Sequence, residues 1–310
     1  MPHVRIGTVD LPERVDRARY FRTLSYVELS ALFAGPMKPS ALTRWADEAP
    51  VATVGLVAPW VLTHRRPPDA TRTWPHDATV GDFRDSAPGR EALAALRSAA
   101  KTLMSPVAVF RSPALFAPSV ANRDALRRFF GEVATPEAVG TRRVWIPDGL
   151  WEPRAAVKLA TELGVTCAID PLVLDPTQPA ETYEDLEAPA LYFRIGGLGR
   201  AGALRSEKLE DLLALIEHYQ SIELTIAFAS AERWTDARNL ARLVSETVFS
   251  AAEDEEVPAG ADLDDDEDDD AGFGGGEGEE DEGEDGEGEG GEGEGGEDEG
   301  GEDDDDEHDA

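Results

Sequence analysis

Cysteine is nearly missing from this chain: Cys167 is the only one in 310 residues, which excludes a disulfide framework. Its apolar surroundings predict a buried, inert thiol rather than a nucleophile. Long hydrophobic runs are missing too. No stretch approaches the roughly 20 residues needed to span a bilayer, and the opening MPHVRIGTVD has no apolar run of signal-peptide length, so a cytoplasmic, membrane-free chain is expected. His64 and His76 have no His or Cys at i+3 or i+4, which removes the usual zinc spacing, and neither a P-loop nor a G-x-S-x-G elbow occurs. No metal or cofactor is expected from these patterns.

Basic residues stop early. All 29 Lys and Arg precede Glu246, whereas 33 of the 64 acidic residues follow Ser250, leaving 31 acids and a net charge of −2 for the first 250 residues. The overall −35 therefore describes a tail and implies nothing about an acidic site. Residues 251–310, made of Asp and Glu runs and Gly/Glu repeats with Phe273 as their one aromatic, have too little apolar surface to offset ordering entropy and are expected to be disordered. Their sign excludes direct nucleic-acid binding by the tail, while basic proteins are candidate partners. Oligomeric state is not legible.

Periodicity divides residues 1–250 into alternating strands and helices. Strands are predicted at Val4–Thr8, Tyr26–Ser30, Thr53–Ala58, Pro106–Phe110, Arg143–Ile146, Thr166–Ile169, from Leu191, and at Leu224–Ala229. Helices are predicted at Arg14–Arg22, after a Ser40 cap, at Glu91–Leu103, at Arg123–Val133 under an Asn122 cap, from Pro153 to Gly164, from a Ser206 cap to Tyr219, and at Thr235–Thr247. Pro59–Arg90 reads as a long excursion with little regular structure, and Asp170–Pro189 as at most a turn or two of helix. Eight strands alternating with about seven helices match an α/β (β/α)8 TIM-type barrel; a doubly wound open sheet is the alternative, since periodicity does not show closure.

In a barrel the polar parity of each strand faces the axis. That turns Arg5, Gly7, Tyr26, Glu28, Ser30, Tyr192, Arg194, Thr225, Ala227 and Ala229 inward, and a buried Glu28 then needs Arg5 or Arg194 as its partner. Asp170 after the sixth strand and Arg111 after the fourth lie at the C-terminal face, where barrel active sites are built. Asp148 and Trp151 follow the fifth strand, and Trp151 is either a stacking platform or loop packing. LYFRIGGLGRAG (191–202) runs from a strand through a glycine turn into a helix. Gly197, Gly199 and Gly202 match G-x-G-x-x-G only formally. Their place after strand seven suits a phosphate or carboxylate held on backbone N–H groups with Arg200 and Arg205, or merely a tight turn.

Several stretches in sequence order carry a resemblance. Gly7-Thr8-Val9-Asp10-Leu11 stands where a GTSGW-like start is usual, and Val27–Ala34 (VELSALFA) where VEINSTFY is. Thr63-His64 retains the end of an ITH signature with Val57 replacing its preceding lysine, Trp145–Trp151 keeps only the tryptophan of EFRH-x-x-W, Arg194–Gly197 keeps the Arg and Gly of RxHG, and Phe228-Ala229-Ser230 replaces FNN. The chain thus resembles the YecE-like family, domain of unknown function 72 (DUF72), over nearly all of residues 1–250. The resemblance implies a TIM-type barrel without an established activity, and the missing mouth residues leave an inactive barrel, a pseudoenzyme, as one reading.

Two functions remain open. One is a barrel binding a small anionic ligand at its C-terminal face through Arg194, Gly197, Gly199, Arg200, Arg111 and Trp151, with Glu28, His64 and Asp170 as acid/base candidates. The other is a non-catalytic scaffold whose acidic tail engages basic partners. Whether the chain is an enzyme is left undecided by the sequence.

Overall fold

Eight short strands whose apolar side chains alternate with period two pair edge to edge until the last meets the first. The computed structural model describes residues 4–69, 73–173, 183–196 and 202–255. Its strands are β1 Val4–Val9, β2 Tyr26–Leu29, β3 Val54–Val57, β4 Val107–Arg111, β5 Arg142–Ile146, β6 Thr166–Ile169, β7 Ala190–Ile195 and β8 Glu223–Phe228. All neighbours are parallel, and β8 closes on β1 through Arg5↔Thr225 and Gly7↔Ala227. Closure excludes the open doubly wound sheet.

Ten α-helical segments occur among the described residues: α1 Arg17–Phe21, α2 Ala31–Ala34, α3 Pro39–Glu48, α4 Trp60–Thr63, α5 Ala87–Thr102, α6 Val120–Arg128, α7 Pro136–Val139, α8 Pro153–Glu162, α9 Ser206–His218 and α10 Arg233–Glu255. Several predicted caps are displaced. Proline at N1 starts α3 at Pro39, so Ser40 lies inside the helix. Ser119, not Asn122, caps α6 by accepting from the Asn122 N–H, and a π-turn at Phe129–Val133 continues that helix. Arg205 is the N-cap residue of α9 without a side-chain bond, leaving Ser206 as the first helical residue. Helix α1 is five residues long, and α10 runs to Glu255, into the segment assigned by composition to the tail. The chain divides into units Met1–Pro258 and Ala259–Ala310, and the second lies wholly outside the described residues, as does the tail beyond residue 255.

The proline-rich excursion is more ordered than its composition predicts. Trp60, Val61, Leu62 and Thr63 form α4 and are all buried; Trp74, Val80 and Phe83 pack into the same core. The return of this excursion is pinned by Gly81 N–H to Val61 C=O at 2.8 Å and Asp82 N–H to Thr63 C=O at 2.9 Å. A Cβ on Gly81, whose φ is +84°, would fall 2.3 Å from the His64 carbonyl oxygen, so this crossing requires glycine. Among the described residues no helix is long and apolar enough to cross a membrane.

Two apolar layers result. The larger lies between sheet and helices and contains Trp60, Phe110, Trp145, Phe193 and Phe228. The smaller fills the barrel axis with Tyr26, Val107, Val109, Val144, Ala168, Tyr192 and Ala227. Inward Tyr26, Glu28, Tyr192 and Arg194 follow the predicted parity. Small residues make room for the two tyrosines: a Cβ on Gly55 would lie 1.9 Å from the Tyr26 hydroxyl. Tyr26 is fully buried and bonded to Tyr192, so its ring has nowhere to retreat. Gly55→Ala is expected to destabilise the barrel by about 1–3 kcal/mol, the usual cost of overpacking, read as a lower midpoint in urea unfolding.

Candidate functional site

The axis of the barrel carries a hydrogen-bonded chain that rises toward the C-terminal face. Tyr26 and Tyr192 hydroxyls are 3.1 Å apart, Tyr192 donates to Glu28 Oε2 at 2.5 Å, and Arg194 Nε donates to Glu28 Oε1 at 3.0 Å. Glu28 is fully buried, and the Arg194 side chain is 19% exposed. Burial opposes the Arg194 charge, but the Glu28 carboxylate outweighs it and raises the guanidinium pKa. Burial and the same carboxylate push the Tyr192 and Tyr26 hydroxyls well above their ordinary range. Of the two expected partners of Glu28, Arg194 is the one that binds. Arg5 faces inward at the opposite end, where it and Arg142 both pair with Glu223; Arg142 Nη2 lies 2.7 Å from that carboxylate.

Above this chain a cavity of about 370 Å3 opens between the loops after β4, β5, β6 and β7. Arg111, Trp151, Asp170 and Arg194, four of the sequence candidates, line it together with Asp148 and Gly196. Asp170 accepts from the Gly196 N–H at 2.7 Å and the Leu172 N–H at 3.1 Å. Burial raises the Asp170 pKa; the two N–H groups and Arg194 pull it part of the way back. Arg111 makes no ion pair or hydrogen bond among the described residues, its Nε is buried without a partner, and its guanidinium lies 5.6 Å over the Phe33 ring. Burial, then the neighbouring Arg194 charge, lowers its pKa. Two guanidinium groups therefore approach one cavity.

His64 and Glu28 are not among the residues lining this cavity. The His64 Nδ1 lies 2.8 Å from the Thr63 hydroxyl, and the ring meets Phe33 edge-on at 5.2 Å. Burial first, then the Arg111 charge, lowers its pKa from 6.5 to about 4, with Asp148 and Asp82 opposing, so the ring is neutral at pH 7. Trp151 is buried: its Nε1 donates to the Phe116 carbonyl at 2.7 Å, Trp145 meets it edge-on, and Arg123 lies 5.2 Å over its ring. Gly197, Gly199 and Arg200 lie outside the described residues. The far end of their segment is tied down, with the Leu204 N–H donating at 2.8 Å to Asp236, a fully buried residue in the first turn of α10. Cys167 is buried, and burial pushes its thiol pKa up. His76 is exposed against Trp60. Among the described residues, no group of three His, Cys, Asp or Glu is disposed to hold a metal ion.

A larger cavity, about 590 Å3, lies at the opposite face among the starts of β5 to β8. Size alone would favour it, but its polar groups are already engaged. Both terminal nitrogens of Arg142 bind Glu223, and those of Arg143 bind the carbonyls of Phe130, Ala134, Leu163 and Gly164. The C-terminal face keeps an unpaired guanidinium and is also where barrel folds place chemistry.

The DUF72 resemblance holds in the fold. A DUF72 family protein from Enterococcus faecalis V583 superposes with a TM-score of 0.56 at 14% identity, covering 80% of this chain and 98% of that one. Another from Thermotoga maritima MSB8 gives 0.54 at 14%, covering 78% and 99%. No family model matches the sequence, and no curated protein matches it either. At this identity the similarity establishes the TIM-type barrel.

Two outcomes test the geometry. Arg194→Ala leaves the buried Glu28 carboxylate without its counter-charge and is expected to cost about 3–5 kcal/mol in chemical denaturation, with Glu28→Gln in the same chain recovering part of the loss. The folded His64 pKa, near 4, is below its ordinary 6.5, so the unfolded chain binds the proton first as pH falls. The stability contributed by neutral His64 is present above about pH 6.5 and lost progressively toward pH 4. His64→Gln should flatten that part of the urea-midpoint profile, and an unchanged profile would contradict the assignment.

Proposed function

We propose that this barrel binds a small anionic ligand at its C-terminal face, with Arg111 and Arg194 as the charged contacts. The observation that carries this reading is Arg111, a half-buried guanidinium with no ion pair or hydrogen bond among the described residues, beside a second arginine in a cavity of ligand size. A guanidinium without hydrogen-bond acceptors in such a place is costly, and an anion would offset that cost. Glu28 engages Arg194 through Nε and is a positioning residue, while Tyr192 holds Glu28 from below. Asp170 is the acid/base candidate that shares the cavity, and its raised pKa suits a proton-handling role if the bound anion reacts. Gly197, Gly199 and Arg200 follow Gly196, a residue of the cavity wall, in the chain but lie outside the described residues. Ligand binding is complete without turnover, so the reading includes an inactive barrel, and nothing in it requires a metal.

The test is a thermal-shift titration of the full chain with inorganic phosphate and with citrate. Ligand at 100 times its Kd adds about 2.7 kcal/mol to stability, a visible rise in Tm. Arg111→Met, which keeps an unbranched side chain and removes the charge, should abolish the shift while leaving the far-ultraviolet circular dichroism unchanged. A shift retained in Arg111→Met, or no shift with either anion, would overturn the proposal.

A further inference from the structure

Resting on the anion site just proposed, we infer that its ligand is a polyhydroxylated acid, a sugar acid or sugar phosphate, rather than a bare anion. Three features of the cavity carry this. First, its volume of about 370 Å3 is that of a small-metabolite pocket and far exceeds what a single phosphate or carboxylate group occupies. Second, its lining is bipolar. Asp148 and Asp170 share the cavity with Arg111 and Arg194, and neither aspartate forms an ion pair among the described residues. Asp148 accepts from the Gly149 N–H at 2.9 Å, and Asp170 accepts from Leu172 and Gly196. A carboxylate has about four lone-pair positions, so both keep spare acceptor capacity. A bare anion on the arginines would leave these acceptors unused, whereas a ligand with hydrogen-bond donors on its body meets them.

Third, the tryptophan in the wall offers no stacking platform. Stacking needs an open aromatic face, but Trp151 is 8% exposed, its ring is already covered by Arg123, and its N–H is engaged with Phe116. Hydroxyls need no such face, and they pair with Asp170 whether it is ionised or protonated, because a hydroxyl both donates and accepts. The charged end would sit on the arginines and the hydroxylated chain along Asp148 and Asp170.

Isothermal titration of the full chain with D-gluconate and D-glucose 6-phosphate tests this, with inorganic phosphate, acetate, D-glucose and glycine as comparators. The inference expects gluconate or glucose 6-phosphate to bind at least about tenfold more tightly than phosphate, acetate or glucose, and which of the two wins tells carboxylate from phosphate. Asp148→Asn and Asp170→Asn should each weaken the hydroxylated ligand by about tenfold, in line with loss of a charge-assisted hydrogen bond, and leave phosphate binding unchanged or tighter. Asp148 is half-buried at the rim, so its variant remains informative if Asp170→Asn folds poorly. Phosphate binding as tightly as the hydroxylated acids, or glycine binding best, would overturn the ligand class while leaving the anion site standing. Failure of every anion would remove both readings.

Discussion

A carboxylate buried on the axis of a closed barrel constrains everything around it. Glu28 is fully enclosed, and its two oxygens are met by Tyr192 and Arg194, both from β7, across the barrel from β2. Leaving such a charge unpaired costs several kcal/mol, so the pair ties β2 to β7 across the barrel. The tyrosine pair below it demands space, and the space comes from Gly55, Ala168 and Ala227 on the other strands. Tyrosines from β2 and β7, valines from β4 and β5 and small residues from β3, β6 and β8 give a filled axis rather than a pore.

The same ion pair sets the polarity of the mouth. Because Glu28 takes the Nε of Arg194, that guanidinium stands at the floor of the C-terminal cavity, and its charge raises the cost of placing Arg111 nearby. Two like charges, one without an ion pair among the described residues, share that cavity with the carboxylates of Asp148 and Asp170. The opposite face follows the contrary rule. Arg5 and Arg142 converge on Glu223, and Arg143 gathers four carbonyls left at helix ends, so charge there is spent holding strand starts and helix C-termini together.

Motif erosion and mouth geometry bear on each other. Relative to the DUF72-like pattern the chain has lost an Asn, a Tyr, a Lys and a His at its strand ends, yet the Glu of β2 and the Arg of β7 remain and are bonded to each other. What differs most is the end of β5 and the loop after it, where Trp145, Ile146, Pro147 and Asp148 stand in place of the EFRH-like stretch and Leu150 is 87% exposed.

The sequence by itself determined the eight strands, the inward parity of Tyr26, Glu28, Tyr192 and Arg194, and the face on which Arg111 and Asp170 emerge, because a two-residue period and a polar/apolar alternation are local properties. It also determined the abrupt change of composition near residue 250. Helix starts were less legible: Lys38 and Ser119 stand at the N-caps assigned to Ser40 and Asn122, since several neighbouring residues can each cap and only the backbone path selects one. The excursion after β3 looked irregular because its order comes from burying Trp60, Trp74 and Phe83 under distant helices, not from local propensity. Tertiary structure alone decided that Glu28 pairs with Arg194 and not Arg5, that Trp151 is walled in by Trp145 and Arg123, and that Asp148, Asp170, Arg111 and Arg194 surround one cavity. These are contacts between strands and loops far apart in the chain, and only closure of the barrel brings them within reach.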